Sequence, residues 1–145
     1  MTLGEQAKVF RETFQQKCLD NISRYGIIDK DLWEMQLRLI TEEYNEVMLA
    51  ADELYADPEN HDRRVDFVKE LTDLVFVCFQ KAASLNIDLD RAMELTFQSN
   101  MSKLDDDGNP IFRADGKVLK GPNYVEPDLT YCAPMPNLHY DTHGK

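Results

Sequence analysis

The sequence predicts an all-α fold, a bundle of four helices followed by a small C-terminal β-hairpin and an irregular tail. Apolar residues recur at spacings of three and four through the first hundred positions. All prolines except Pro58, and all glycines except Gly4 and Gly26, lie beyond Asp107. The clearest strand-prone run, Ile111 to Leu119, is centred on the Asp115-Gly116 pair, a two-residue hairpin signal.

The first element is an amphipathic helix over residues 3 to 24, with Leu3, Ala7, Phe10, Phe14, Cys18 and Ile22 on one face and a stop near Tyr25-Gly26. Asp31-Leu32-Trp33-Glu34 has capping-box spacing, with Asp in place of Ser or Thr, and starts the second helix. Its buried stripe is Trp33, Leu37, Ile40, Tyr44, Val47, Ala51 and Leu54. Asp57-Pro58 ends it, because the residue before a proline is pushed out of the α region. The third helix, from about His61 to Leu85, is apolar on most of its circumference past Leu71 and is expected to be central. Asp88 caps a fourth helix carrying Ala92, Met93, Thr96, Phe97 and Met101. One domain over 1–129 and a loose tail over 130–145, without periodicity, complete the expected organisation.

Composition excludes some functions. The net charge of −11 over 145 residues repels nucleic acid. No run reaches the length of a membrane span, and the mixed, amphipathic first twenty residues do not resemble a signal peptide. Cys18, Cys78 and Cys132 are an odd set without paired spacing, which points to reduced thiols and a cytoplasmic protein.

Acidic residues carry the chemistry. Glu43 and Glu46 on the second helix, and Glu70 and Asp73 on the third, are each three apart and so share a helix side. At about 100° per residue Glu43 lies beside the apolar stripe and Glu42 almost opposite it. Antiparallel packing about Pro58 would let the two pairs face each other. Hard oxygen ligands without histidine or thiolate suit Mg²⁺, with Mn²⁺ as a substitute. A di-iron bundle wants Glu-x-x-His pairs, and His61, His139 and His143 lie outside the helix interiors. Either acidic motif alone arises by chance on an acidic helix; the two together, one inside an apolar helix, favour a metal.

Glu42-Glu43-x-x-Glu46 followed beyond Pro58 by Glu70-x-x-Asp73 resembles the signature of MazG-like all-α nucleoside triphosphate pyrophosphohydrolases, relatives of phosphoribosyl-ATP pyrophosphohydrolase. Asn100-Met101-Ser102-Lys103 is similar to the family's phosphate-contacting segment. The run from Arg113 to Asp128 resembles the C-terminal segment of a small single-domain branch. The resemblance covers residues 30 to 129. It implies hydrolysis of a (deoxy)nucleoside triphosphate to monophosphate and pyrophosphate, with Glu43, Glu46, Glu70 and Asp73 as metal ligands. Glu42 would lie behind them or orient water. It also implies a homodimer or homotetramer.

Glu43 or Glu46 can accept a proton from the attacking water. Lys103, Arg113, Lys117 and Lys120, with Asn100, are candidate phosphate clamps, although a solvated hairpin explains Arg113 as well. Tyr124 can stack on a base or close the core; Trp33, inside the apolar stripe, is read as packing. The alternatives are phosphoribosyl-ATP hydrolysis, which the C-terminal segment disfavours, and an idle helical protein that only binds nucleotide or a partner, which the intact acidic set disfavours.

Overall fold

Side chains that satisfy free N–H groups start three of the helices in the computed structural model, which describes residues 1–16 and 30–134. Thr2 and Glu5 form a reciprocal capping box at the head of α1, Leu3–Thr13. Asn60 accepts from the amides of Asp62 and Arg63 at the head of α3, His61–Ser84. Asp88 accepts from Arg91 N–H at 2.9 Å and opens α4, Leu89–Met101. Such caps contribute about 1 kcal/mol each. In α2, Lys30–Ala56, Asp31 is not the cap but sits inside the first turn, where its charge suits the helix dipole.

α1 ends well short of residue 24. Gln16 N–H donates to Arg11 O at 2.8 Å and Gln15 N–H to Glu12 O at 3.2 Å, while Gln15 takes a left-handed φ of 52°. This is the Schellman closure, with glutamine where glycine is usual. Cys18 and Ile22 lie outside the described residues.

One compact unit is built on Met1–Ile87 and a second on Asp88–Pro134. In the first, α3 is central and packs against both α1 and α2. Three links fix the α2–α3 register. Gln36 meets Ser84, Glu43 meets Glu70 and Asp73, and Glu53 pairs with Arg63. One series rises as the other falls, so the helices are antiparallel. Their interior is built from small residues, Ala50, Ala82 and Ala83, with Phe79 and Ala7. Phe10 meets Phe76 edge-to-face at 5.2 Å, an arrangement contributing about 0.5–1.5 kcal/mol beyond burial.

The expected stripe on α2 is only half covered. Ile40, Val47, Ala51 and Leu54 turn inward, but Leu37 and Tyr44 are exposed. The apolar arc is wider than one neighbouring helix can cover, and the buried side is shifted towards Gln36, Glu43 and Ala50. No helix among the described residues is long and apolar enough to cross a membrane.

In the second unit Ser99 Oγ donates to Val125 O at 2.7 Å, and Ser102 Oγ accepts from Val125 N–H at 2.9 Å. These bonds tie the returning chain to the end of α4. The predicted two-residue hairpin is instead a single antiparallel bridge, Phe112 to Val118, around a wider turn. Gly116 takes φ 88° there, and Asp115 gathers the Arg113 guanidinium and the Lys117 amide. Leu119 N–H still reaches Ile111 O, but the ladder stops because Gly121 N–H goes to Lys103 O and Asn109 N–H to Asp105 Oδ1. No strand forms among the described residues. The start of the tail is ordered: a 3₁₀ turn at Thr130–Cys132 buries Cys132, whose carbonyl accepts from Asp88 N–H at 2.8 Å. The tail from 135 onward lies outside the described residues.

Candidate active site

α2 and α3 bring three carboxylates together. One ligand oxygen from each of Glu43, Glu70 and Asp73 lies within 4.8 Å of the others. The spacing of Glu70 and Asp73 puts both on the side of α3 that faces α2, and the antiparallel register sets Glu43 opposite them. All three are half-buried, which keeps them reachable from solvent. Glu46 is exposed and stands outside this group, on the next turn of α2 towards Glu53. It remains near enough for its charge to act on Glu43. Glu42 is exposed on the outer side of α2, beside Arg38 and Thr41 in a shallow groove.

The electrostatics show what the cluster lacks. Burial, then the charges of Asp73 and Glu70, push the Glu43 carboxyl above its ordinary range. Lys69, which sequence reasoning passed over, answers part of that repulsion. Its Nζ lies 2.9 Å from Glu70 Oε1 and 3.0 Å from Asp73 Oδ2, and the two bonds hold its proton more firmly than in a free lysine. An ammonium thus stands where positive charge is wanted. Three converging oxygen donors, acidic and partly accessible, fit a hard divalent cation.

Lys69 competes with such a cation for the same oxygens. Lys69→Met is expected to tighten divalent-cation binding roughly two- to fivefold, the ordinary scale of a partly exposed ion pair. Calorimetric titration with Mn²⁺ measures it; unchanged affinity would make Lys69 a solvated surface pair.

The other candidate residues lie in the second unit. Asn100 is exposed at the end of α4, and its carbonyl accepts from the amide of half-buried Lys103. The Lys103 carbonyl receives Gly121 N–H at 2.9 Å, and a Cβ at Gly121 would come within 2.5 Å of that oxygen. The Gly121 position is therefore reserved for glycine. Arg113 is engaged with Asp115, and Lys117 is exposed on the same turn. Lys120 stands 4.4 Å over the half-buried Tyr124 ring and 3.9 Å from Glu126. To grip a phosphate, Arg113 and Lys120 have to leave these partners, whereas no ion pair holds Lys117 among the described residues. Trp33, expected to be simple packing, carries the Lys81 ammonium 3.4 Å over its ring.

An antiparallel helix pair that presents three converging carboxylates is a place where a divalent cation could be held. A family model for phosphoribosyl-ATP pyrophosphohydrolase matches residues 8–100, well over half of the chain. The chain belongs to that family, within the MazG-like all-α nucleoside triphosphate pyrophosphohydrolases, and is a nucleotide pyrophosphohydrolase. Among curated proteins none matches it.

Proposed function

We propose that the protein hydrolyses (deoxy)nucleoside triphosphates to the monophosphate and pyrophosphate with Mg²⁺, for which Mn²⁺ can substitute. The observation that carries this reading is the convergence of Glu43, Glu70 and Asp73 within 4.8 Å. These three, with Glu46 beside them, would hold the cation. When bound, it would polarise the phosphoryl oxygens and offset the charge that develops on them. Glu43 is the residue best suited to take the proton of the attacking water. Its raised pKa makes it a better proton acceptor than an ordinary carboxylate, and Glu46 lies on the same side of α2. Glu42, solvated, has at most an orienting role. Asn100, Lys103 and Lys117 would hold the leaving phosphates, with Arg113 and Lys120 once released from their partners and Tyr124 beside them.

The family match favours a second substrate, phosphoribosyl-ATP, which is cleaved at the same kind of bond. Both readings predict release of pyrophosphate. A panel of NTPs, dNTPs and phosphoribosyl-ATP with Mg²⁺, following pyrophosphate and monophosphate separately, ranks them. Diphosphate and orthophosphate as main products would sink both. We also propose that the working form is a cytoplasmic homodimer or homotetramer acting on free nucleotide. The exposed apolar edge of α2 supports assembly, and the net charge of −11 argues against nucleic acid and an anionic membrane surface.

A further inference from the structure

Lys69 is the movable neighbour of the carboxylates. Its side chain is 63% exposed, against 16% for Glu70, yet Nζ turns back to meet Glu70 Oε1 at 2.9 Å and Asp73 Oδ2 at 3.0 Å. Its charge also acts on Glu43, across on α2. The packing of α2 on α3 sets the acids, whereas an ammonium on a four-carbon stem can swing between anions. Exposed pairs of this kind are weak. Lys69 also precedes Asp73 by four residues, the less favourable order for an ion pair along a helix. Helix stability therefore does not explain a lysine at this position.

Charge balance does. Glu43, Glu70 and Asp73 carry three negative charges when ionised, and one divalent cation offsets two of them. The charge of Glu46 stands close by. The loaded cluster is therefore still anionic, and a nucleoside triphosphate, itself a polyanion, would be repelled by it. Phosphoryl transfer calls for positive charge around the phosphates. Lys69 is the one cation paired with these carboxylates among the described residues.

Two demands thus fall on one ammonium. In the metal-free protein it offsets the charge of Glu70 and Asp73. With a divalent cation on those oxygens, like charges repel and the ammonium has to leave, while its backbone stays next to Glu70. The exposed side chain has solvent to turn into, and a phosphate chain has to arrive from solvent as well.

We propose that Lys69 is a phosphate-binding residue, whose ammonium pairs with Glu70 and Asp73 in the metal-free protein and with the phosphates of the nucleotide in the loaded one. The proposal rests on the nucleotide pyrophosphohydrolase reading above. A compact point charge suits both partners, since lysine grips carboxylate and phosphate without a fixed geometry. The arrangement also couples the two ligands. A nucleotide that engages Lys69 removes the competitor of the cation, and by reciprocity the cation frees Lys69 for the nucleotide.

The test follows two affinities by calorimetry in the wild type, Lys69→Met and Lys69→Arg. One is for Mn²⁺ alone. The other, at saturating Mn²⁺, is for the α,β-methylene analogue of the nucleotide that the wild type turns over fastest. Lys69→Met should tighten Mn²⁺ by the factor given above and weaken the analogue by about tenfold or more, the scale of a lost charged hydrogen bond. KM should rise with it, and kcat should change less. Lys69→Arg keeps the charge and should recover most of the analogue affinity. Melts in EDTA should show both variants folded, since the substituted side chain is exposed. Opposite shifts for the two ligands are what a purely structural pair would not give. Unchanged affinity of Lys69→Met for either ligand, or weaker binding of both, would overturn the phosphate role and leave the hydrolase standing. Release of pyrophosphate from no nucleotide by the wild type would overturn the underlying reading instead.

Discussion

Asp73→Asn is expected to abolish hydrolysis while leaving the metal-free protein no less stable than the wild type. In the absence of metal the cluster is a liability, since Glu43, Glu70 and Asp73 converge and Lys69 offsets only part of their charge. Removing one charge relieves repulsion and gives up one partly exposed pair with Lys69, an interaction of small net effect. A cation that binds only the folded form stabilises it by about 2.7 kcal/mol at a hundredfold excess over Kd. For a chain of this size that is roughly 5–10 °C in Tm. Thermal melts in EDTA and in Mg²⁺ should therefore show that rise in the wild type and little of it in Asp73→Asn. A mutant melting lower in both conditions, with activity kept, would make Asp73 a structural residue.

The same cluster sets a pH dependence. Glu43 has a folded pKa above its ordinary 4.5. The metal-free fold therefore loses stability as pH rises from about that value through the folded pKa, where Glu43 must ionise beside two other carboxylates. Asp115 and Asp128 act oppositely, since hydrogen bonds from Arg113 and from Thr130 depress their pKa values. Their contribution is present above the ordinary 3.8 and lost as pH falls through their folded values. The two windows do not overlap. Glu43→Gln should flatten the upper one in EDTA and leave the lower unchanged.

What could be read from the sequence follows where local chemistry decides. α3 and α4 lie within a residue or so of expectation because strong periodicity and the Asn60 and Asp88 caps fix them. The facing of Glu43, Glu70 and Asp73 followed from three-residue spacing and a short antiparallel connection. Glu46 is outside the close group although the register set by Gln36–Ser84 and Glu53–Arg63 brings it level with Glu70, because its side chain is exposed while Glu43 is half-buried between the helices. Lys69 was visible four residues before Asp73, but an acid-first reading passed over the cation. The early end of α1 was not visible, since nothing marks Gln15 as a left-handed residue. Nor was the interior of Arg11, Gln36 and Gln80, because amphipathic patterning assigns polar side chains to solvent. Thr2-x-x-Glu5 is a capping box in plain view, and the reading placed one at Asp31 instead.

If the protein forms the proposed homo-oligomer through the apolar side of α3, Leu71→Glu is expected to dissociate it and lower Tm by more than about 10 °C. The interior of the single chain is small, with Phe79 the one large apolar side chain buried among the described residues of the first unit. Meanwhile Leu37, Tyr44, Met48 and Tyr55 recur at spacings of seven and four and form one exposed line along α2. Val68, Leu71 and Val75 form a second on α3, 62%, 44% and 40% exposed, on the side away from Glu70 and Asp73. Covering the exposed half or so of such a side chain contributes about half of the ~1.5–3 kcal/mol of burying it whole, and a two-fold partner would cover each stripe twice. That is enough to repay the cost of association, which isolated apolar residues would not. A glutamate at Leu71 would be buried without a partner in the assembled state, so the change acts on assembly before it acts on the fold of the chain. Sedimentation reads the oligomer and melts at several protein concentrations read the linkage, since the Tm of an obligate dimer rises with concentration. A wild type that is monomeric at micromolar concentration with a concentration-independent Tm, or a Leu71→Glu protein equally stable, would show that these stripes are covered by nothing.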